Sequence, residues 1–253
     1  MIGSGGGGGG RIALQAATSV SSSLAVSARA GAGSAGYAGC GGAAGGVFSR
    51  DTTGGVLVVS NEQVSSASGI VTPYPGDLSG YVLAGLDVKG GARLYADKSS
   101  SNNNLTSASI MVSSGSAITG DTIGMMTTNA TIAGTVACTT LAKVRAMAGL
   151  QAIQMSVAGG GVVSCVGCEV DIKLVGSGSG ESALLLVGEV KAQTVGLSAD
   201  LVEVLGSQTA WTGAVTIEAD EMVVGSRASV TVSAGASVLP GAAMRLELGR
   251  LEV

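Results

Sequence analysis

"VGLSADLVEV" (Val195–Val204) and "VTIEADEMVV" (Val215–Val224) read alike when one is laid over the other at a shift of twenty residues. Val195 falls on Val215, Ala199 on Ala219, Asp200 on Asp220 and Val204 on Val224. Within the second segment Val215, Ile217 and Ala219 share one side, and Thr216, Glu218 and Asp220 the other. A period of two is the mark of a half-buried strand. Repetition of such strands at an interval of about 20 residues is the mark of a solenoid, whose coils bury their apolar faces only against one another. The expected architecture is all-β, a parallel β-helix (β-solenoid) of roughly ten to twelve coils of about 20 residues each.

The pattern extends upstream. In "CEVDIKLVG" Val170, Ile172 and Leu174 alternate with Glu169, Asp171 and Lys173. The same twenty-residue shift lays "EVDIK" over "EVKAQ", with Glu169 on Glu189, Val170 on Val190 and Asp171 on Lys191, the last an expected cross-coil ion pair. "LAKVRAMAGLQAIQM" (Leu141–Met155) puts Leu141, Val144, Ala148 and Met155 on one side of a helix, but its neighbours alternate, so it is read as strand.

Composition agrees. The 253 residues include 43 Gly and are 46% apolar, yet only 2% aromatic and 12% charged. A mean hydropathy of +0.51 separates the chain from polar, glycine-rich disordered sequences. An interior of Val, Ala, Leu and Ile without large rings must be narrow and regular, as in thin layers of stacked strands. Residues 1–55 form a Gly-rich opening segment with the first coils, and residues 56–253 the body. Together they read as one continuous solenoid cut from a longer chain.

Several function classes are disfavoured. There is no histidine, which removes Ser-His-Asp and Cys-His nucleophilic systems and imidazole metal sites. A net charge of −4 with no Lys/Arg cluster makes nucleic acid and anionic membranes poor partners. No apolar run approaches the ~20 residues of a membrane-spanning helix, and "MIGSGG" carries no secretory leader.

The first zone contains "GSGGGGGGRIAL" (Gly3–Leu14), "GAGSAGYAGCGGAAGGVF" (Gly31–Phe48) and "GGVLVVSN" (Gly54–Asn61). This order of glycine run, Arg-Ile-Ala-aliphatic strand, second Gly/Ala run and Leu-Val-Val-x-Asn strand resembles the Gly-rich, pectin-lyase-like β-helix modules of large extracellular and cell-surface proteins of algae and other protists. Arg11-Ile12-Ala13-Leu14, Val47-Phe48 and Leu57-Val58-Val59-Ser60-Asn61 carry the resemblance, over about the first 60 residues. Tyr37 and Cys40 interrupt the second glycine run, and later coils lack the motif. The resemblance implies a right-handed parallel β-helix, a place outside the cell and no catalytic activity. On that reading the six consecutive glycines are a close-packed backbone excursion rather than a free linker.

Candidate sites are few. "GAGSAG" (Gly31–Gly36) has the spacing of a dinucleotide loop, but nothing after it can open a helix. Cys165 and Cys168 form a C-x-x-C, too few thiols for a structural zinc; with Cys138 they are candidates for a disulfide between neighbouring coils. Asn104-Leu105-Thr106 and Asn129-Ala130-Thr131 are candidate glycosylation sequons, expected in loops. Asp200 and Asp220, stacked, are a candidate calcium pair, set against the reading of a solvated charged face. Otherwise no metal or cofactor is expected. The Thr-rich stretch Thr122–Thr140 raises an outward threonine ladder of the ice-binding kind, although its spacing is irregular.

The expected function is a non-catalytic structural segment of an extracellular or cell-surface protein, a rod or filament that displays glycans, mediates adhesion or associates with copies of itself. The alternatives are a carbohydrate-binding or carbohydrate-active β-helix, for which sugar-stacking aromatics are scarce, and an ice- or surface-binding solenoid.

Overall fold

The computed structural model describes residues 11–15, 45–51, 54–61, 71–74, 82–96, 104–146, 153–174, 181–206, 208–211, 215–225, 228–232, 237–246 and 250–252. The glycine tract 3–10, the segment 31–36 and Cys40 lie outside them. Eighteen strands follow in order: β1 Arg11–Gln15, β2 Gly45–Asp51, β3 Gly54–Ser60, β4 Thr72–Pro73, β5 Leu83–Lys89 and β6 Arg93–Ala96. Then come β7 Asn104–Val112, β8 Ala117–Ile132, β9 Thr135–Ala146, β10 Ile153–Val157, β11 Val162–Lys173 and β12 Ser182–Leu186. The last are β13 Glu189–Val204, β14 Gln208–Trp211, β15 Val215–Val224, β16 Ser229–Val232, β17 Ser237–Leu246 and β18 Arg250–Glu252. No helix occurs among the described residues, and so none is long and apolar enough to cross a membrane.

The strands stack as a parallel β-solenoid. Each long strand bends to serve two or three ladders in turn. Thus β13 pairs through Glu189–Ala192 with Val162–Cys165, through Thr194–Ser198 with Glu169–Lys173, and through Leu201–Val204 with Ala183–Leu186. One column runs in register through nine levels: Val59, Val88, Val112, Ile132, Val157, Leu186, Val204, Val224 and Leu246. A second carries Leu105, Met125, Val144, Ile172, Leu197, Ile217 and Val238 on another face. The aliphatic side chains described in both columns are buried. Each such group contributes about 1.5–3 kcal/mol relative to exposure. Slim β-branched and aliphatic residues stack level on level at about 4.8 Å and fill a narrow interior.

The sequence alignment of Val195 with Val215, Ala199 with Ala219 and Val204 with Val224 is the observed register of β13 on β15. The strand reading of Leu141–Met155 holds at both ends, in β9 and β10. The shift of "EVDIK" over "EVKAQ" does not hold. Val170 pairs with Val195 and Asp171 with Gly196, twenty-five residues on, while Val190 pairs with Val163 and Lys191 with Ser164. Lys191 makes its ion pair with Glu189 on its own strand, at 2.9 Å. The period is not constant because the corners differ in length. Ala183 pairs eighteen residues on with Leu201, and Ile153 twenty-nine residues on with Ser182.

The tightest corner follows the nine-level column. At each of several levels one carbonyl accepts two N–H groups from the next coil. Val157 O accepts from Val187 (2.9 Å) and Gly188 (2.7 Å), and Leu186 O from Leu205 (2.9 Å) and Gly206 (3.0 Å). A Cβ on Gly188 would lie 2.3 Å from Gly161 O, and one on Gly206 would lie 2.0 Å from Val187 O. Only glycine lets the backbone of one coil approach the carbonyl below so closely.

One pairing breaks the parallel rule. β2 runs antiparallel to β3 from Gly45↔Ser60 to Asp51↔Gly54, and β1 joins the far edge of β2 in parallel. The opening segment is therefore not a simple series of stacked coils where it is described.

Candidate functional site

Surface chemistry concentrates on the outer side of the ladder that contains Glu169–Lys173. Alternation that buries Val170 and Ile172 leaves Glu169 and Lys173 exposed and Asp171 partly so. Register sets Asp171 between Lys143 of β9 and Gly196 of β13, and Lys173 between Arg145 and Ser198. Ser198 in turn pairs with Glu218. Glycine at 196 leaves room for the carboxylate, since a Cβ there would sit 3.2 Å from Asp171 Oδ1. The strip thus has mixed charge, with Asp171 in register with Lys143 and two bases, Arg145 and Lys173, in register with each other. The sequence showed the alternation along the strand. It did not show which coil lay beside it, because the shift there is not twenty residues.

Asp200 and Asp220 occupy equivalent bends, between the pairs Ala199↔Ala219 and Leu201↔Glu221. Asp220 is exposed. Asp200 takes part in a reciprocal clasp with Ser182 of the preceding coil. Ser182 N–H donates to Asp200 Oδ2 (2.7 Å), and Asp200 N–H donates to Ser182 Oγ (2.9 Å). Ser182 Oγ–H donates to Leu174 O (3.2 Å), and Ser182 is buried. One carboxylate oxygen of Asp200 is thereby engaged in closing the coil. Among the described residues no three His, Cys, Asp or Glu side chains gather as a metal site.

Both sequons lie in strands rather than in the loops expected. Asn104 opens β7 and Asn129 lies in β8. Asn129 and Thr131 are exposed and Ala130 between them is buried, so the acceptor and its hydroxyl partner face outward together. The bend before them is fixed by buried Thr127, whose Oγ1–H donates to Asn129 O (2.7 Å). Ser107, its partner one level down, does the same to Ser109 O (2.7 Å). The threonines of 122–140 stack on other residues: Thr122 on Leu141, Thr131 on Met111 and Ser156, Thr135 on Ala117 and Val162.

The cysteines meet inside the solenoid. Cys138 and Cys165 are direct ladder partners in a column of small residues, Ala96, Gly120, Cys138, Cys165 and Ala192. Their sulfurs are 2.8 Å apart, with Cys138 6% and Cys165 0% exposed. Cys138 Sγ also lies 3.6 Å from Ser164 O, and Cys165 is disulfide-bonded. The side chain of Cys168 lies outside the described ones. Its backbone belongs to an irregular step in which Cys165 to Glu169 spans four residues against three in β9, Cys138 to Leu141.

The chain matches no family model, no curated protein and no solved structure.

Proposed function

We propose that the chain is a right-handed parallel β-helix of ten to twelve coils, acting as a non-catalytic structural segment of an extracellular or cell-surface protein of the Gly-rich, pectin-lyase-like kind that its first 60 residues resemble. The observation that supports this reading is the aliphatic column running unbroken through nine levels. Such a column is aliphatic at every level along its axis. It suits a rod that carries load or holds attached groups at fixed intervals. Its partners on this reading are glycans, borne at Asn104 and Asn129, or neighbouring copies of the rod. Electron microscopy of the purified chain, with glycopeptide mass spectrometry of native material, tests it. The expected results are an elongated particle, with the nine levels alone spanning roughly 40 Å at strand spacing, and hexosamine-containing peptides at one or both sequons. A round particle, or native protein recovered only from the cell interior without glycans, overturns it.

The mixed-charge strip supports a second reading, a carbohydrate-binding or carbohydrate-active surface. Register sets Asp171 beside Lys143 and Lys173 beside Arg145, with exposed Glu169 at the strip's end. A carboxylate paired with a base on an outer solenoid face can bind an acidic sugar or move a proton on it. Incubation with neutral and acidic polysaccharides tests it: oligosaccharide release, or retention on an immobilised glycan, that is lost in E169Q or D171N favours this reading over the rod.

A further inference from the structure

The ladder that contains Arg93–Ala96 buries Leu94, Ile118, Val136, Val163 and Val190 and turns two columns outward. One carries Arg93, Ala117, Thr135, Val162 and Glu189 in register over five levels. The other carries Tyr95, Thr119, Ala137, Ser164 and Lys191. All of these except Ala117 are partly exposed. Long side chains stand at the two ends of the patch and small ones between them. Asn129 lies on a different ladder, with Ser109 and Gln154, so a glycan there is not attached to this face. We propose that the patch is a self-complementary contact through which two copies of the rod associate side by side, with their axes antiparallel. This deepens the reading that the rod's partners include copies of itself, and rests on it.

Symmetry decides what meets what. A two-fold axis between the two faces, along the strand direction, keeps each column opposite itself and reverses the order of its levels. The first level then meets the fifth, the second meets the fourth, and the third meets its own copy. Arg93 of one copy comes opposite Glu189 of its partner. Tyr95 comes opposite Lys191, a cation against an aromatic ring. Thr119 comes opposite Ser164 and Ala117 opposite Val162, while Thr135 and Ala137 meet themselves. Hydroxyl faces hydroxyl and alkyl group faces alkyl group. The other two-fold, parallel to the solenoid axis, would cross the columns at every level. It would set Ala117 against Thr119, Thr135 against Ala137 and Val162 against Ser164, a hydroxyl against an alkyl group each time. It would also leave Arg93 with no acid opposite. Complementarity therefore selects the antiparallel arrangement.

The ends are accessible and the middle is flat. Glu189 holds Lys191 on its own strand at 2.9 Å, with side chains 26% and 43% exposed. It keeps that partner in the contact, because a carboxylate accepts several hydrogen bonds and the guanidinium joins as a further donor. The patch is two columns wide and spans about 19 Å along the axis at strand spacing. That is well short of the roughly 800 Å² per partner of a standard interface, so a single pair of patches makes a weak, transient contact.

Sedimentation velocity of the full chain, over a concentration series reaching the millimolar range, tests the proposal. Wild type is expected to pass reversibly from monomer to dimer. R93E sets acid against acid at both ends of the dimer and E189R sets base against base, so each alone should dimerise about tenfold more weakly. An equimolar mixture of R93E and E189R restores opposite charges at both ends only in the antiparallel arrangement, and should dimerise as wild type does. E218R, an exposed position on another ladder, should behave as wild type. Circular dichroism checks that each variant keeps its β signal, and R93Q and E189Q, with smaller losses expected, serve where a reversal unfolds the chain. Wild type that stays monomeric throughout, dimers that form equally well in the Arg93 and Glu189 variants, or a mixture no better than its components overturns the proposal. The sedimentation coefficient of the dilute monomer reports its shape separately. An elongated monomer that does not dimerise removes the contact and leaves the rod; a round monomer removes the rod and, with it, this contact between rods.

Discussion

Gly206 lies so close beneath the carbonyl of Val187 that a methyl group on it would sit 2.0 Å from that oxygen. Gly206 N–H and Leu205 N–H both donate to Leu186 O, so this contact is the point at which one coil hands over to the next. Gly206→Ala must push the corner apart and weaken both bonds. It is expected to destabilise the fold by about 1–3 kcal/mol, the scale of overpacking, read as a fall in the denaturant midpoint. Gly159→Ala is the control. Its nearest neighbour would be Val187 Cγ1 at 3.7 Å, and it should change stability by no more than about 0.5 kcal/mol.

The strand Ser182–Leu186 tests the interior. Leu184 and Leu186 are buried, and Leu185 between them is partly exposed. Leu184→Ala or Leu186→Ala should cost about 2–5 kcal/mol through lost burial and the cavity left behind. Leu185→Ala should cost well under half of that. Equal losses at all three positions in urea titrations would contradict the alternation.

The Ser182–Asp200 clasp gives a third expectation. Ser182→Ala removes the acceptor of Asp200 N–H and the donor to Leu174 O in a buried corner. A loss of about 1–3 kcal/mol follows from leaving those groups unsatisfied. Asp200→Asn keeps an oxygen to accept from Ser182 N–H and should lose less than half as much. Millimolar calcium should leave the melting midpoint of the wild type unchanged. A rise abolished by D200N or D220N would instead make the two aspartates ligands.

Asn129 offers a test that leaves the fold alone. Because it is exposed on an outward strand position, Asn129→Gln should stay within about 0.5 kcal/mol of wild type. In a secreting eukaryotic host it should also lower the mass by one N-glycan. No change in mass would remove Asn129 from the list of glycan acceptors.

The C-terminal half was legible in the sequence because β13 and β15 bend at equivalent places. Ala199 over Ala219 and Val204 over Val224 could then be read by eye. The preceding coils were not, although their strands were just as plain. Alternation tells which face a residue occupies but carries no information on how many residues the next corner consumes. Between Cys165 and Glu169 one strand spends four residues where β13 spends two, from Ala192 to Thr194. A fixed shift fails across that step. A better ruler was present in Ile132-Ala133-Gly134, Leu186-Val187-Gly188 and Val204-Leu205-Gly206. This aliphatic-x-Gly signature marks the end of one coil wherever the next carbonyl leaves no space for a side chain. The strip around Asp171 was missed for the same reason, since Lys143 is twenty-eight positions away. The sulfur pair was only partly legible: spacing suggested that Cys138 could reach the C-x-x-C, and register selected Cys165.

The reversed strand Gly45–Asp51 has a mechanical consequence. Ser60 to Gly54 already spend one of their two edges on a neighbour of opposite direction. Leu83–Lys89 occupies the other edge in the like direction. Strand polarity therefore reverses once at this point, and an axial pull is transmitted across it through hydrogen bonds of antiparallel rather than parallel geometry.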